Sequence, residues 1–173
     1  MTPLFLLFAC DEAELRSQFG KVDFAEQGVN FADGSSSARS TGTLIYKGAA
    51  FDFAMASATN PAAKYHIFCD VDLTGIRSSL SLSLGAAVAS GQHVPAIVKA
   101  MMLLGEILGS ALNAKATYWQ PASVVAGFGY YSDSVSQYHN GAAFPSLVSI
   151  GFDTTADDSI RTTGLGWLSG QEL

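Results

Sequence analysis

Between Ser78 and Gly151 the chain is nearly without charge. Lys99, Glu106, Lys115 and Asp133 are the only charged side chains there, and every other acid and base lies in residues 1–77 or 152–173. A typical soluble domain has roughly a quarter of its residues charged, against 14% for this chain as a whole. A neutral stretch of this length either fills a core or faces another protein.

Cysteine is also scarce. Cys10 and Cys69 are the only two. That excludes a disulfide framework, and their spacing excludes a CxxC metal or redox pair. Free thiols in a reducing compartment are expected, with Cys10 inert because Asp11, Glu12 and Glu14 oppose its ionisation. Clustered base is missing as well. Nine Lys and Arg residues are scattered along a chain of net charge −6, so the phosphate-neutralising face that nucleic acid requires is excluded.

The apolar run Pro3–Ala9 has no Lys or Arg before it and is short for a leader. It reads as a first strand buried on both faces. The apolar stretch near 94–112 holds Lys99, Glu106 and two glycines, and reads as a core helix rather than a membrane span. A cytoplasmic protein without a membrane partner is expected. GxSxG, HExxH, GK[ST] and kinase-loop signatures are all absent from the sequence. No cofactor or metal is expected.

What is present is apolar and aromatic: 49% and 11% of 173 residues. That length suits one domain with a real core. Acids in the first turn predict a short helix from Asp11, ended by Gly20. Val22–Phe31 predicts a strand, and 32–40 a polar loop. Thr43–Tyr46 and Ala50–Met55 flank Lys47-Gly48-Ala49 as a hairpin. His66–Leu73 and Ser78–Val88 alternate and predict strands. Val94, Ile97, Val98, Met101, Leu104, Leu108 and Leu112 recur at helical spacing, and Pro95 suits the first turn. The other face of that helix (Ala96, Ala100, Leu103, Gly105, Gly109) is small and neutral, which predicts cover on more than one side. Ala114–Trp119 reads as a strand. Pro121 to about Tyr138 reads as helix interrupted near Gly127 and Gly129, with Ser132 capping a second piece. Pro145–Phe152 and Ile160–Leu168 read as strands around an acidic loop at 153–158. There is no βαβ rhythm. The expectation is one α+β domain: a mixed or antiparallel sheet, a long buried helix and a second, C-terminal helix.

The order Ala114–Trp119, Pro145–Ile150 and the closing Thr162–Leu173, with its T-x-G-L and G-x-x-E-L patterns, resembles an uncharacterised bacterial family, the domains of unknown function numbered four-two-six-one. The likeness covers roughly 40–173 and departs in 60–77. It implies an α+β fold and transfers no catalytic residue.

Candidate chemistry is sparse. His66, Asp70 and Asp72 would share a strand face, but residues 66 and 70 would lie about 13 Å apart at ~3.3 Å per residue. That favours a solvated face over a metal site. Ser90-Gly91-Gln92-His93 precedes the long helix, where free N–H groups could hold a small anion beside His93. Gly127-Phe128-Gly129 lacks the third glycine of a nucleotide loop. Trp119, Tyr130, Tyr131 and His139 belong to an aromatic stretch that suits a core, a pocket or an interface. The weak ligand-binding candidates are therefore Ser90, His93, Trp119, Tyr130, Tyr131 and His139.

Two functional readings follow. The first is a non-catalytic interaction domain, a homo-oligomer joined through the neutral 78–151 region. The second is a small hydrolase or ligand-binding protein with an aromatic pocket near His93 or His139.

Overall fold

The first apolar run forms β1, Leu4–Phe8, and the rest of the sheet is laid out on either side of it. The structure, a computed structural model, describes residues 3–33, 39–58, 61–68, 70 and 72–171. Seven further strands join the sheet: β2 Val29–Phe31, β3 Thr41–Tyr46, β4 Ala49–Ser57, β5 Tyr65–Ile67, β6 Ser78–Leu84, β7 Ala116–Trp119 and β8 Val124–Gly127. Their order is β2-β3-β4-β6-β1-β7-β8-β5. Every pairing is antiparallel except β5 with β8. β9 Gly151–Thr154 and β10 Ile160–Thr163 form a separate ribbon. The helices are α1 Glu12–Phe19, α2 Pro95–Leu112, α3 Phe128–His139 and the short α4 Leu165–Ser169. This is an α+β fold with a mixed sheet.

β1 is continuous in apolar residues because both of its faces are covered. Leu4 and Leu6 stand opposite Leu82 and Leu80 of β6, and all four are fully buried among the helices. Each such leucine contributes about 1.5–3 kcal/mol through burial. Leu7 points the other way, into a smaller cluster with Leu73, Ile76, Ala116 and Val125. Ser79, Ser81 and Ser83 of β6 take that second face too, and Ser81 Oγ donates to Ala54 O at 3.1 Å.

The neutral stretch supplies the inside of this single chain. α2 packs on β1, β4, β6 and α1, and α3 packs on α2. It is the one helix among the described residues long and apolar enough to cross a bilayer, and 56% of it is buried within the protein. Its small neutral face is the seat of α3. A Cβ at Gly105 would come within 2.8 Å of Tyr131 Oη, and one at Gly109 within 2.1 Å of the Phe128 ring. The helix thus has no broad neutral face left for a second molecule, contrary to the expectation that it would form a contact.

Several predicted boundaries move, each for a local reason. The strand at Val22–Phe31 shrinks to β2, because 25–27 turn into a 3₁₀ segment ended by Gly28 at φ 74°. The Lys47-Gly48 hairpin is as expected, with both residues at positive φ, as a type I′ turn needs. His66–Leu73 is not one strand. β5 ends at Ile67, Phe68 turns to φ 41°, and Asp72 caps a 3₁₀ turn at Leu73–Gly75. Cys69 and Val71, placed on that strand by alternation, lie outside the described residues, as do 34–38 of the polar loop. β6 stops at Leu84, where Gly85 N–H donates to Ala50 O at 2.9 Å.

The predicted helix from Pro121 is a hairpin followed by a helix. Pro121 sits in a 3₁₀ turn, Ser123 adopts φ 52°, and β-branched Val124-Val125 begin β8 beside β7. Gly127 is the cap residue of α3 rather than an interruption. Ser132 lies inside α3 and donates to Glu106 Oε1 at 3.1 Å. Pro145–Phe152 is mostly a 3₁₀ turn at Ser146–Val148, with only its end in β9. Ile160–Leu168 divides at Gly164, whose φ of 91° and approach to Ala122 separate β10 from α4.

Gly109→Ala should lower the urea midpoint, since the overpacking cost of about 1–3 kcal/mol exceeds the ~1 kcal/mol gained in helix propensity. Gly129→Ala, whose Cβ would meet nothing within 4 Å, should instead leave the midpoint level or raise it. Equal responses would show that the Phe128 contact does not hold α3 in place.

Candidate functional site

The 3₁₀ turn Gly91–His93 leads into α2. Val94 N–H donates to Gly91 O at 2.9 Å, and Pro95 takes the first helical position. Ser90 is exposed and makes no side-chain capping bond. Gln92 Nε2 lies 3.3 Å from His93 Nε2. Among the described residues no Lys or Arg side chain is bonded to this turn. His93 stands instead at the edge of an apolar cavity of about 180 Å³.

Three parts of the chain wall that cavity. Pro95 and Val98 come from the first turns of α2, Tyr138 from the end of α3 with Phe144 and Ile150 from the segment after it, and Leu165, Leu168 and Ser169 from α4. The Tyr138 and Phe144 rings meet edge to face at 5.6 Å, a favourable aromatic geometry. Lys99 Nζ lies 4.7 Å above the Tyr138 ring and donates to His139 O at 3.4 Å. A cation at a helix C-terminus is favourable, and here it joins α3 to α2. His139 is exposed and contributes its carbonyl, not its ring, to this corner.

The other candidates lie apart. Trp119 is 1% exposed and meets Trp167 of α4 edge to face at 5.1 Å. Its Nε1 is buried without a hydrogen-bond partner. Tyr131 is buried and donates to Met102 O at 2.9 Å; burial, and less so the charge of Glu106, pushes its phenol far up. Both side chains are buried in the core, so the aromatic stretch is divided between the interior and the surface. Tyr130 is the surface half. Its ring stacks on Phe68 at 4.5 Å and borders a shallow cleft of about 170 Å³ with Ser134, Phe144, Pro145 and Leu147.

A larger cleft of about 430 Å³ lies between α1 and β2. Its walls include Phe19, Phe24 and Phe31, whose rings pack at 5.1 and 5.9 Å, while Asp23 accepts from Ala25 N–H. Cys10 borders a further cleft with Glu14 and Lys115. Burial, then Glu14 and Asp11, push its thiol up against the opposing bond from Ser78, so it is a poor nucleophile at neutral pH. Of the strand-face set, His66, Asp70 and Asp72 are all exposed. Asp72 accepts from Thr74 N–H and Oγ1 at 2.9 and 2.7 Å, which lowers its carboxyl. Among the described residues no three His, Cys, Asp or Glu side chains converge as metal ligands.

One cluster has no trace in the sequence pattern. Asp153 of β9 accepts from Lys64 and, at 2.5 Å, from Tyr65 Oη, across nearly 90 residues of chain. A Cβ at Gly151 would fall 2.1 Å from the Tyr65 ring, so the missing side chain lets the ribbon lie against β5. Phe68 is exposed like His66, Asp70 and Asp72, as alternation expects, but at a turn rather than on a strand.

No protein-family model matches the chain, and neither a curated protein nor a solved structure matches it.

The hydrogen bonds from Lys64 and Tyr65 hold the Asp153 carboxyl below its ordinary value, and Asp153 in turn raises Lys64. A lowered carboxyl stabilises above its unfolded pKa and loses that effect as the pH falls through its folded one. The ribbon's anchor should therefore persist at neutral pH and fade in acid. Followed by the NMR shift of its carboxyl carbon, Asp153 should titrate below the usual carboxylate range, and Lys64→Ala should move the midpoint up. An unchanged midpoint would mean the pair is not formed in solution.

Proposed function

We propose that the protein is a non-catalytic interaction domain that pairs with a second copy of itself through the aromatic surface at Phe68, Tyr130 and Leu147. The observation that carries this reading is the exposure of those groups together: Phe68 is 70% exposed and Leu147 43%, and Phe68 stacks on Tyr130. Apolar rings left in water beside a shallow cleft are typical of interaction surfaces. The ridge and the cleft lie side by side, so a two-fold axis sets each against its counterpart. A basic partner would be drawn to the acidic regions instead. A bacterial cytoplasmic setting accords with the free Cys10 thiol and with the family resemblance.

The hydrolase alternative is less well supported. Ser169 shares the cavity with His93, but its hydroxyl donates to backbone oxygens of Leu165 and Gln171 at 3.1 and 3.0 Å. A serine nucleophile needs its proton directed at a base.

Sedimentation at micromolar concentration should show a dimer. Phe68→Ser and Leu147→Ser, both surface changes, should each weaken it by about tenfold through lost apolar burial. A monomeric wild-type chain, or a dimer indifferent to both substitutions, would overturn the reading.

A further inference from the structure

We infer that the cavity beside His93 is a binding site for a small neutral aromatic molecule: one ring bearing a single hydroxyl group. The inference is independent of self-association and concerns a different part of the surface.

Size comes first. The cavity holds about 180 Å³, and an apolar cavity of about 150 Å³ accepts a benzene ring. Several waters would fit at ~30 Å³ each, but each needs two to four polar partners. Val98, Phe144, Ile150, Leu165 and Leu168 supply none, Ser169 donates its hydroxyl to backbone, and only the Tyr138 hydroxyl and His93 are left to hold water. The space is therefore poorly hydrated, and an apolar occupant displaces water that is weakly held.

Shape and chemistry narrow the class. Tyr138 and Phe144 stand edge to face, so they offer a flat guest both a ring face and a ring edge, the arrangement aromatic pairs prefer. No charged side chain lines the cavity, which disfavours an ionised guest inside it. The polar groups that remain are the Tyr138 hydroxyl and His93. His93 Nε2 faces the Gln92 amide nitrogen at 3.3 Å. A guest hydroxyl can both donate and accept, so it suits an imidazole nitrogen in either role.

The wall formed by α4 supplies a reporter. Leu165 and Leu168 line the cavity, and Trp167 between them packs on Trp119. These are the chain's only tryptophans. α4 is joined at either end through glycines at positive φ, 91° and 82°, so a guest that shifts α4 changes the indole pair.

Phenol is the probe. Titrated into the intact protein, with emission excited at wavelengths where phenol does not absorb, it should produce a saturable change in tryptophan fluorescence. Saturation-transfer NMR should show the same midpoint. Val98→Phe and Leu168→Phe, which fill the space from opposite walls, should each abolish saturation while circular dichroism stays native. His93→Ala should weaken phenol about fivefold, the loss of one hydrogen bond, and leave toluene unchanged. Phe68→Ser should bind phenol normally, which separates this test from that of the dimer. The inference fails if phenol gives no saturable signal at millimolar concentration, or if a natively folded filled variant binds as the wild type does. It fails in its polar part if His93→Ala treats phenol and toluene alike.

Discussion

A helix of 18 residues lies between a sheet and a second helix, and it must present uncharged, closely fitting surface to both. Burying an unpaired charge costs far more than a hydrophobic contact returns. Both charges on α2 are therefore found at its margins with partners. Lys99 reaches the His139 carbonyl and the Tyr138 ring. Glu106 accepts from Ser110 and Ser132 at 3.0 and 3.1 Å. Glycines at 105 and 109 let α3 approach until Tyr131 can donate to a carbonyl of α2. The charge depletion of residues 78–151 is the sequence image of this one packing problem.

Both proposed surfaces lie at the ends of that layer, not within it. The cavity beside His93 opens where α2 begins and α3 ends, and α4 closes its third side. The aromatic ridge lies where α3 begins, on the parallel edge formed by β5 and β8. Helix termini and sheet edges are where regular packing stops and side chains become available. The rigid layer fixes the distance between these two places, while the segments that complete them are loops and short turns.

How much was legible follows from range. β1, α1, the Lys47-Gly48 hairpin and α2 were readable because their signals are local: a continuous apolar run, acids at a helix start, turn residues, a three-and-four repeat. The segment from Pro121 to Val125 was misread because its composition suits either state, and pairing of Val124 with Trp119 across the sheet decided between them. His66–Leu73 was misread for the complementary reason. Alternation was present, but the pairing of β5 with β8 ends at Ile67 and Phe68 turns to φ 41°. The aromatic stretch was seen as a group, yet nothing local could say that Tyr131 faces inward while Tyr130 faces out.

Composition and periodicity by themselves determined that this chain folds as α+β, that its middle is buried and that α2 is its core helix. Those properties depend on transfer from water, and each residue carries its own transfer free energy wherever it is placed. Tertiary structure alone decided that α3 covers the neutral face of α2, that Lys64 meets Asp153, that Phe68 stacks on Tyr130 and that His93 borders an apolar cavity. Those are juxtapositions of residues distant in the chain, and only the closing of long loops by many contacts at once selects one such set.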